Sequence, residues 1–483
     1  MKNQNRFLCW DTDLMEHESN VRVEMHKPVK KNIALLCDDE WEGVHNGYGS
    51  IVRSNDGYRL YYRANNQRHM MDKTLSHGEE VVCVAESRDG IHFYKPNLGK
   101  FEYNGTKYNN IVFMREGQLD NFSFFFDENP SCPPEKRFKA LSEYHPKEGG
   151  TRLRYYSSAD GFDFKEEYDL DVSGTFDSFN VMLWDRDTEQ YFLFYRALHK
   201  PAGGGDLFEW KGVDSASIVR DIRVATSKDF LHWEEHGMIR FGEDKPDLSL
   251  YTNQISKYYR STDTFIGFPV RYCERTAVKK NFSYMPLGDR HENITVRFGR
   301  EGTAVTDCAI MTSRDGFHFN RRDEAFLTPG PEDRNNWWYG DCYVAYGLVE
   351  TPADEEGAAP EISLYVGENY RIKNVNFRRY TIRLDGFFSW FAPFSGGEVL
   401  TKPLTVTGDT LRLNFASSAI GGVEVSVCDE NGDVLEGYES YTIFGDSVDR
   451  PVEFEKSLSA LRGKSVRLRF ALRDCHLYSF IFE

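Results

Sequence analysis

Apolar and polar residues alternate along most of the chain in short runs, the period-two pattern of strands buried on one face. The clearest runs are EEVVCVAES, TRLRYYSS, SIVRDIRVATS, GTAVTDCAIMTS and VNFRRYTIRL. Upstream of each lie two more strand candidates. They are YGSIVRS and YRLYYRA, NFSFFF and RFKALSEY, FNVMLW and QYFLFYRA, TNQISKYY and DTFIGFPVRY, and CYVAYGLV and EISLYVG. No convincing helical period interrupts them.

A turn follows each clear run. Ser-x-Asp-Gly-x-x-aromatic occurs as SRDGIHF, SADGFDF and SRDGFHF, with degenerate copies SKDFLHW and LDGFFSW. The aspartates Asp89, Asp160, Asp229, Asp315 and Asp385 are 71, 69, 86 and 70 residues apart. Asp-Gly ends a strand in a tight turn because glycine tolerates positive φ. That context explains the five aspartates structurally. The aromatic after the turn is expected to pack against a neighbouring unit.

Three strands plus a return strand, repeated five times, predict an all-β five-bladed β-propeller. A large double sandwich with incidental Asp-Gly hairpins is the competing reading; the even spacing favours the ring. After Trp390 the texture shifts to GGEVLTKPLTVTG, TLRLNFAS, GGVEVSVCDENGDVLEG, SVRLRFAL and HLYSFIF, short alternating runs that predict a β-sandwich. The expected division is a strap over 1–31, supplying a strand that closes the ring, a propeller over 32–390, and a sandwich over 391–483. TPADEEGAAP reads as a polar loop inside the fifth unit, not a linker.

Composition narrows the partners. With 483 residues and 15% aromatics the core can be large. The 59 Lys and Arg against 76 Asp and Glu give a net charge of −17, which repels phosphate backbones, so nucleic acid is not expected as a partner. No apolar run approaches the ~18 residues of a membrane span. The nine scattered cysteines contain no CxxC, and the N-terminus has no apolar signal region, so a cytoplasmic chain with reduced thiols is expected. A periplasmic or secreted chain lacking its leader would read the same.

Loops that lead into the first strand of each blade converge at one end of a propeller. The candidates there are Asp38, Asp39, Trp41, Glu42, His45, Asn46 and Tyr48 for the first unit, and Glu116 and Asp120 for the second. Asp177 and Asn180 serve the third, and Trp337, Trp338 and Asp341 the fifth. Arg220, Asp221 and Arg223 lie on the third unit's return strand. Carboxyls with aromatics, Asn, His and Arg suit glycoside hydrolysis: one carboxyl protonates the leaving oxygen while another acts as base or nucleophile. No histidine pair has metal-ligand spacing, and no GxGxxG or Walker A run is present, so neither metal nor cofactor is expected.

This organisation resembles the five-bladed propeller glycoside hydrolases, the invertase and fructanase group together with the arabinanase and xylosidase group. Its invertase-like members also carry a C-terminal sandwich. CDDEWEG stands where that group has Trp-x-Asn-Asp-Pro-Asn, and the resemblance maps its nucleophilic aspartate to Asp39. Asp120 in QLDNFSF stands for the Arg-Asp-Pro motif, and Asp177 in FDSFN occupies the place of the acid; Cys273-Glu274 is a reversed copy of the Glu-Cys motif in another unit. The resemblance implies a glycosidase acting on a furanoside or short oligosaccharide. Asp39 would be nucleophile or base, Asp177 the general acid and Asp120 the stabiliser, with Trp41, Glu42, Asn46, Asn180, Arg220 and Asp341 around the sugar. A non-catalytic carbohydrate-binding propeller is one alternative. An inverting glycoside phosphorylase using Arg220, Arg223, Arg271 and Arg275 is another.

Overall fold

The computed structural model describes residues 6–54, 56–65, 80–114, 121–147, 149–201, 204–208, 217–242, 245–286, 292, 294–296 and 299–483. Five antiparallel blades form the predicted ring. The first runs Gly47–Ser54, Gly57–Asn65, Glu80–Ser87 and Ile111–Met114, and the second Ser123–Phe126, Phe138–Tyr144, Arg152–Ser158 and Lys165–Asp169. The third is built on Val181–Asp185, Gln190–His199, Val219–Ser227 and Glu234–Met238. Ser256–Lys257, Phe265–Gly267, Met311–Ser313 and His318–Arg321 make the fourth. The fifth has Tyr343–Val344, Glu361–Glu368 and Asn376–Arg383. Its outermost strand is Val29–Leu36 from the N-terminal part of the chain, pairing Leu36 with Asn376 and closing the ring.

Hydrogen bonds link each repeat to its neighbours around the centre. Phe124 N donates to Ser50 Oγ (3.1 Å), Ser178 Oγ to Tyr251 O (2.8 Å), Thr306 Oγ1 to Asp341 O (2.9 Å) and Ile51 N to Tyr346 O (2.7 Å), while Ser123 Oγ donates to Asn180 O. Each satisfies a buried polar group that would otherwise cost about 1–3 kcal/mol.

The Ser-x-Asp-Gly turns are built alike in four blades. In the first, Asp89 Oδ1 accepts from Ile91 N (2.8 Å) and His92 N (3.0 Å), while Gly90 N donates to Ser87 Oγ (2.9 Å). Gly90, Gly161 and Gly316 have φ of 71°, 77° and 80°. The third copy keeps the geometry with Phe230 at φ 67°, and Asp229 still accepts from Leu231 and His232 (both 2.9 Å). Phe230 holds this costly backbone because its ring is buried 4.6 Å from that of Tyr155.

These turns also seal the ring, since each docks on an aromatic of the preceding blade. Tyr61 OH donates to Gly161 O (2.9 Å) and Tyr155 packs on Phe230. Phe192 abuts Gly316 so closely that a Cβ there would lie 2.8 Å from its ring. Tyr258 OH donates to Asp385 Oδ1 (2.6 Å), and Tyr365 OH to Gly90 O. The cycle returns to its start after five contacts.

The fifth copy has changed its chemistry. Asp385, with no serine two residues before it, is fully buried and accepts from Arg260 Nε (2.8 Å) and Ser479 Oγ (2.6 Å) besides Tyr258. It therefore joins the fourth blade to the C-terminal sheet.

That sheet is a separate ten-stranded antiparallel assembly, consistent with the expected sandwich, around Leu411–Cys428 and Ser465–Phe482. Alternate residues Leu411, Leu413 and Phe415, and Leu468, Phe470 and Leu472, face its core. Arg6–Leu8, Met15–Ser19 and Arg22–Met25 pair into the same sheet. All nine cysteines are free thiols, and Cys273 is the exposed one. Among the described residues no helix is long and apolar enough to cross a membrane.

Candidate active site

The first strands begin, and the second strands end, at one mouth of the ring. Four non-glycine residues near these first strands have left-handed backbone: Tyr48 (φ 50°), Asn121 (φ 67°), Gln254 (φ 41°) and Cys342 (φ 64°). Such conformations persist where surrounding contacts over-determine them, and they gather at functional sites. Here they turn each chain sharply into its inner strand.

Asn121 reaches two carboxylates. Its Nδ2 lies 3.3 Å from Glu143 Oε2 and 3.4 Å from Asp177 Oδ1. Glu143 ends the second strand of the second blade and is buried, with His145 Nε2 3.6 Å from its other oxygen. Asp177 is exposed on the loop before the third blade.

Three buried arginines stand at the same end of the blades. Arg196 is buried, donates from Nη2 to Tyr251 O (3.0 Å) and sets its guanidinium 4.7 Å from the Tyr251 ring. Its own charge is favoured by nearby Tyr251 and Asp177, against the cost of burial. Arg220, also buried, lies 4.7 Å from the Tyr272 ring and 5.5 Å from that of Tyr251. Arg63 stacks 4.8 Å over Tyr48, and its Nη2 is 3.3 Å from His45 Nε2.

Between the first and fifth blades Tyr48 and Arg63 line a small pocket of about 30 Å³ with Asn46, Tyr339, Tyr343 and Tyr370. Asn46 Nδ2 donates to Gly43 O (3.2 Å), which turns Oδ1 inward, buried and without a hydrogen-bond donor among the described residues. The pocket thus offers an acceptor to a small polar group.

Asp39 has a different neighbourhood. Lys95 Nζ lies 2.9 Å from Asp38 Oδ1, 2.9 Å from Asp39 Oδ2 and 2.8 Å from Glu42 Oε2. These three acids are the group among the described residues whose geometry could hold a metal ion. The Lys95 ammonium sits among them and gives one proton direction to each, doing a cation's work. Glu42 is fully buried and also accepts from Tyr62 OH (2.5 Å) and Asp39 N (2.8 Å). Burial pushes its carboxyl above the usual range while Lys95 opposes. Burial alone would lower the Lys95 ammonium, and Glu42, Asp38 and Asp39 together more than offset it, raising it above the ordinary lysine value.

The remaining expected site residues are engaged locally. Trp41 Nε1 donates to Asn110 Oδ1 (2.9 Å) beside Tyr103. Asn180 donates to Phe176 O (2.8 Å) and Ser178 O (3.0 Å) and accepts from Arg196 N (3.2 Å), so its amide braces the loop carrying Asp177. Asp341 accepts from Trp338 N (3.1 Å), and burial pushes its carboxyl up to about 8. Glu116 and Asp120 lie outside the described residues.

Glu143, Arg63 and Arg196 escape a reading that looks only ahead of first strands. All three stand where second strands end, on the same mouth. A signal exists: Tyr-Arg-Ala recurs there as Tyr62-Arg63-Ala64 and Tyr195-Arg196-Ala197.

No known family profile matches this chain, and no curated protein does. Among solved structures, one described as a glycoside hydrolase is 12% identical with a TM-score of 0.46, covering 75% of this chain and 93% of that one. An N-acetylgalactosamine deacetylase from F. plautii, in complex with blood group B trisaccharide, is 12% identical with a TM-score of 0.41, covering 94% and 96%. A member of the GH130 mannoside phosphorylases, a family containing hydrolases of β-1,2 mannosidic linkages in Candida mannan, is 12% identical with a TM-score of 0.43, covering 74% and 94%.

Proposed function

We propose that the chain hydrolyses glycosidic bonds at the mouth of the propeller, with Glu143 and Asp177 as its carboxyl pair and a furanoside or short oligosaccharide as substrate. The observation that carries this reading is the Asn121 amide, which contacts one oxygen of each carboxylate at 3.3 and 3.4 Å. Those oxygens therefore lie within about 7 Å of one another. Carboxyls flanking a glycosidic bond stand about 5–5.5 Å apart when one attacks the sugar, and about 6.5–9.5 Å apart when water fits between.

Asp177 keeps, in this proposal, the proton-donor role that the resemblance gives it, and its exposed place lets it exchange that proton with solvent between turnovers. Glu143, accepting from Asn121, is the base or nucleophile and takes the role that the resemblance assigns to Asp39. Asp120, adjacent to Asn121 in the chain, is the proposed third carboxylate. Arg63, Arg196 and the tyrosines hold sugar hydroxyls and ring faces.

A screen of aryl furanosides, aryl pyranosides and fructans tests this. Glu143→Gln and Asp177→Asn are each expected to lower kcat by about 10²–10⁴-fold, with Asp39→Asn far milder. Undiminished hydrolysis in the first two variants sinks the pair. Saturable sugar binding with no cleavage by the wild type favours a binding module.

The guanidiniums of Arg196 and Arg220, both beside Tyr251, support a second reading in which phosphate replaces water. Release of a sugar 1-phosphate, dependent on added phosphate, would decide for it.

A further inference from the structure

The fourth repeat is the long one, with 86 residues between its turn aspartate and the preceding one where the other intervals are 69 to 71. The surplus lies between Val270–Glu274 and Ala304–Cys308, which pair as a two-stranded ladder outside the five blades. It opens with 3₁₀ turns over Thr276–Tyr284. Together these segments wall a cleft of about 1140 Å³. Single small-molecule sites occupy about 300–1,000 Å³, so the cleft has room for more than one small unit.

The cleft shares a wall with the mouth. Tyr272 lines it, and its ring lies 5.7 Å from that of Tyr251, the residue that holds Arg196. Tyr251 in turn receives a hydrogen bond from Tyr339 of the small pocket (2.9 Å). A chain whose scissile bond sits beside Asp177 can therefore extend past Tyr251 into the cleft.

Its lining suits uncharged sugars. Tyr284 and Trp337 offer ring faces, with the buried Tyr272 and Phe282 also in its wall, and Tyr284 is 73% exposed at the rim. Rings with a polar tip fit the C–H faces and hydroxyls of a saccharide. The charges cancel: Asp247, Glu274 and Asp307 balance Arg271, Arg275 and Lys280. Arg271 is closed on Asp307 through two contacts of 2.6 and 2.5 Å. A neutral lining on a chain of net charge −17 gives no field for a polyanion.

We propose that the long fourth repeat builds a second saccharide site, which holds the flanking units of a neutral oligosaccharide bound at the mouth. The proposal rests on the reading that the mouth handles glycosides. Its test is calorimetric titration of the full-length Asp177→Asn chain with arabinotriose, xylotriose, mannotriose and kestose, and with their component monosaccharides. At least one trisaccharide should bind more tightly than its monosaccharides. Tyr284→Ala should reduce that preference about tenfold, and Tyr284→Trp should keep it. A preference unmoved by Tyr284→Ala, or none for any trisaccharide, overturns the proposal. If the preference falls as expected while the wild type cleaves no glycoside, the hydrolytic reading fails and the saccharide cleft stands.

Discussion

Asn121 Nδ2 stands 3.3 Å from the buried carboxylate of Glu143, held there by a backbone in the left-handed region at φ 67°. The residue thus couples a strained turn to the proposed chemistry. Glycine adopts that backbone freely but carries no amide. Asn121→Gly is expected to unfold within about 1 kcal/mol of the wild type while losing about tenfold or more in kcat. Denaturant melts beside kinetics on the best aryl glycoside check it; full activity would show that the amide does not position the carboxyls.

Lys95 is predicted to be the counter-charge that makes its acidic corner foldable. Lys95→Met leaves buried Glu42 beside Asp38 and Asp39 without a cation. Removing one partner from a buried ion cluster costs about 3–5 kcal/mol. The loss should be greatest at alkaline pH and shrink as the pH falls, because protonating Glu42 removes the stranded charge. Millimolar Ca²⁺ should raise the Tm of the variant and not that of the wild type, a comparison made by thermal melts.

Two aspartates at the same repeat position should respond unequally. Asp385→Ala removes the acceptor of Tyr258, Arg260 and Ser479 from a fully buried place, at an expected cost of about 3–5 kcal/mol. Asp89→Ala deletes an exposed acceptor of two turn N–H groups and the Ser87 hydroxyl, beside the exposed His92 ring, and about 1–2 kcal/mol is expected. Chemical denaturation of both variants gives the comparison. Equal losses would contradict the different roles assigned here.

Acid should weaken the joint between the N-terminal strap and the C-terminal sheet. His26 Nε2 and His476 Nδ1 both lie 2.9 Å from Ser389 Oγ. Burial, then the neighbouring His476, holds His26 down at about 4 from its ordinary 6.5, with Glu24 opposing and Arg383 adding to the fall. The unfolded chain therefore binds this proton more readily than the folded one. Stability from this site is complete above about pH 6.5 and is lost as the pH falls towards 4, by up to about 3 kcal/mol. His26→Gln should flatten the stability profile across that window.

The chain's own letters determine the architecture because strands and turns are local. Period-two runs and Ser-x-Asp-Gly turns depend on neighbours a few residues away, and five copies at near-equal spacing admit a ring. Asp89, Asp160, Asp229 and Asp315 behave as their turn context predicts. Asp385 does not, because its partners Tyr258, Arg260 and Ser479 come from distant segments. The proposed site is legible in the sequence only in part. Asp177 and Asn46 belong to the mouth, but Glu143 lies at the far end of a second strand, and proximity to Asn121 exists only once the blade is folded. Asp39, close to the mouth in sequence, is claimed by Lys95, more than fifty residues onward. Which carboxylates meet is decided by tertiary structure, since charge pairing and burial act through space and not along the chain.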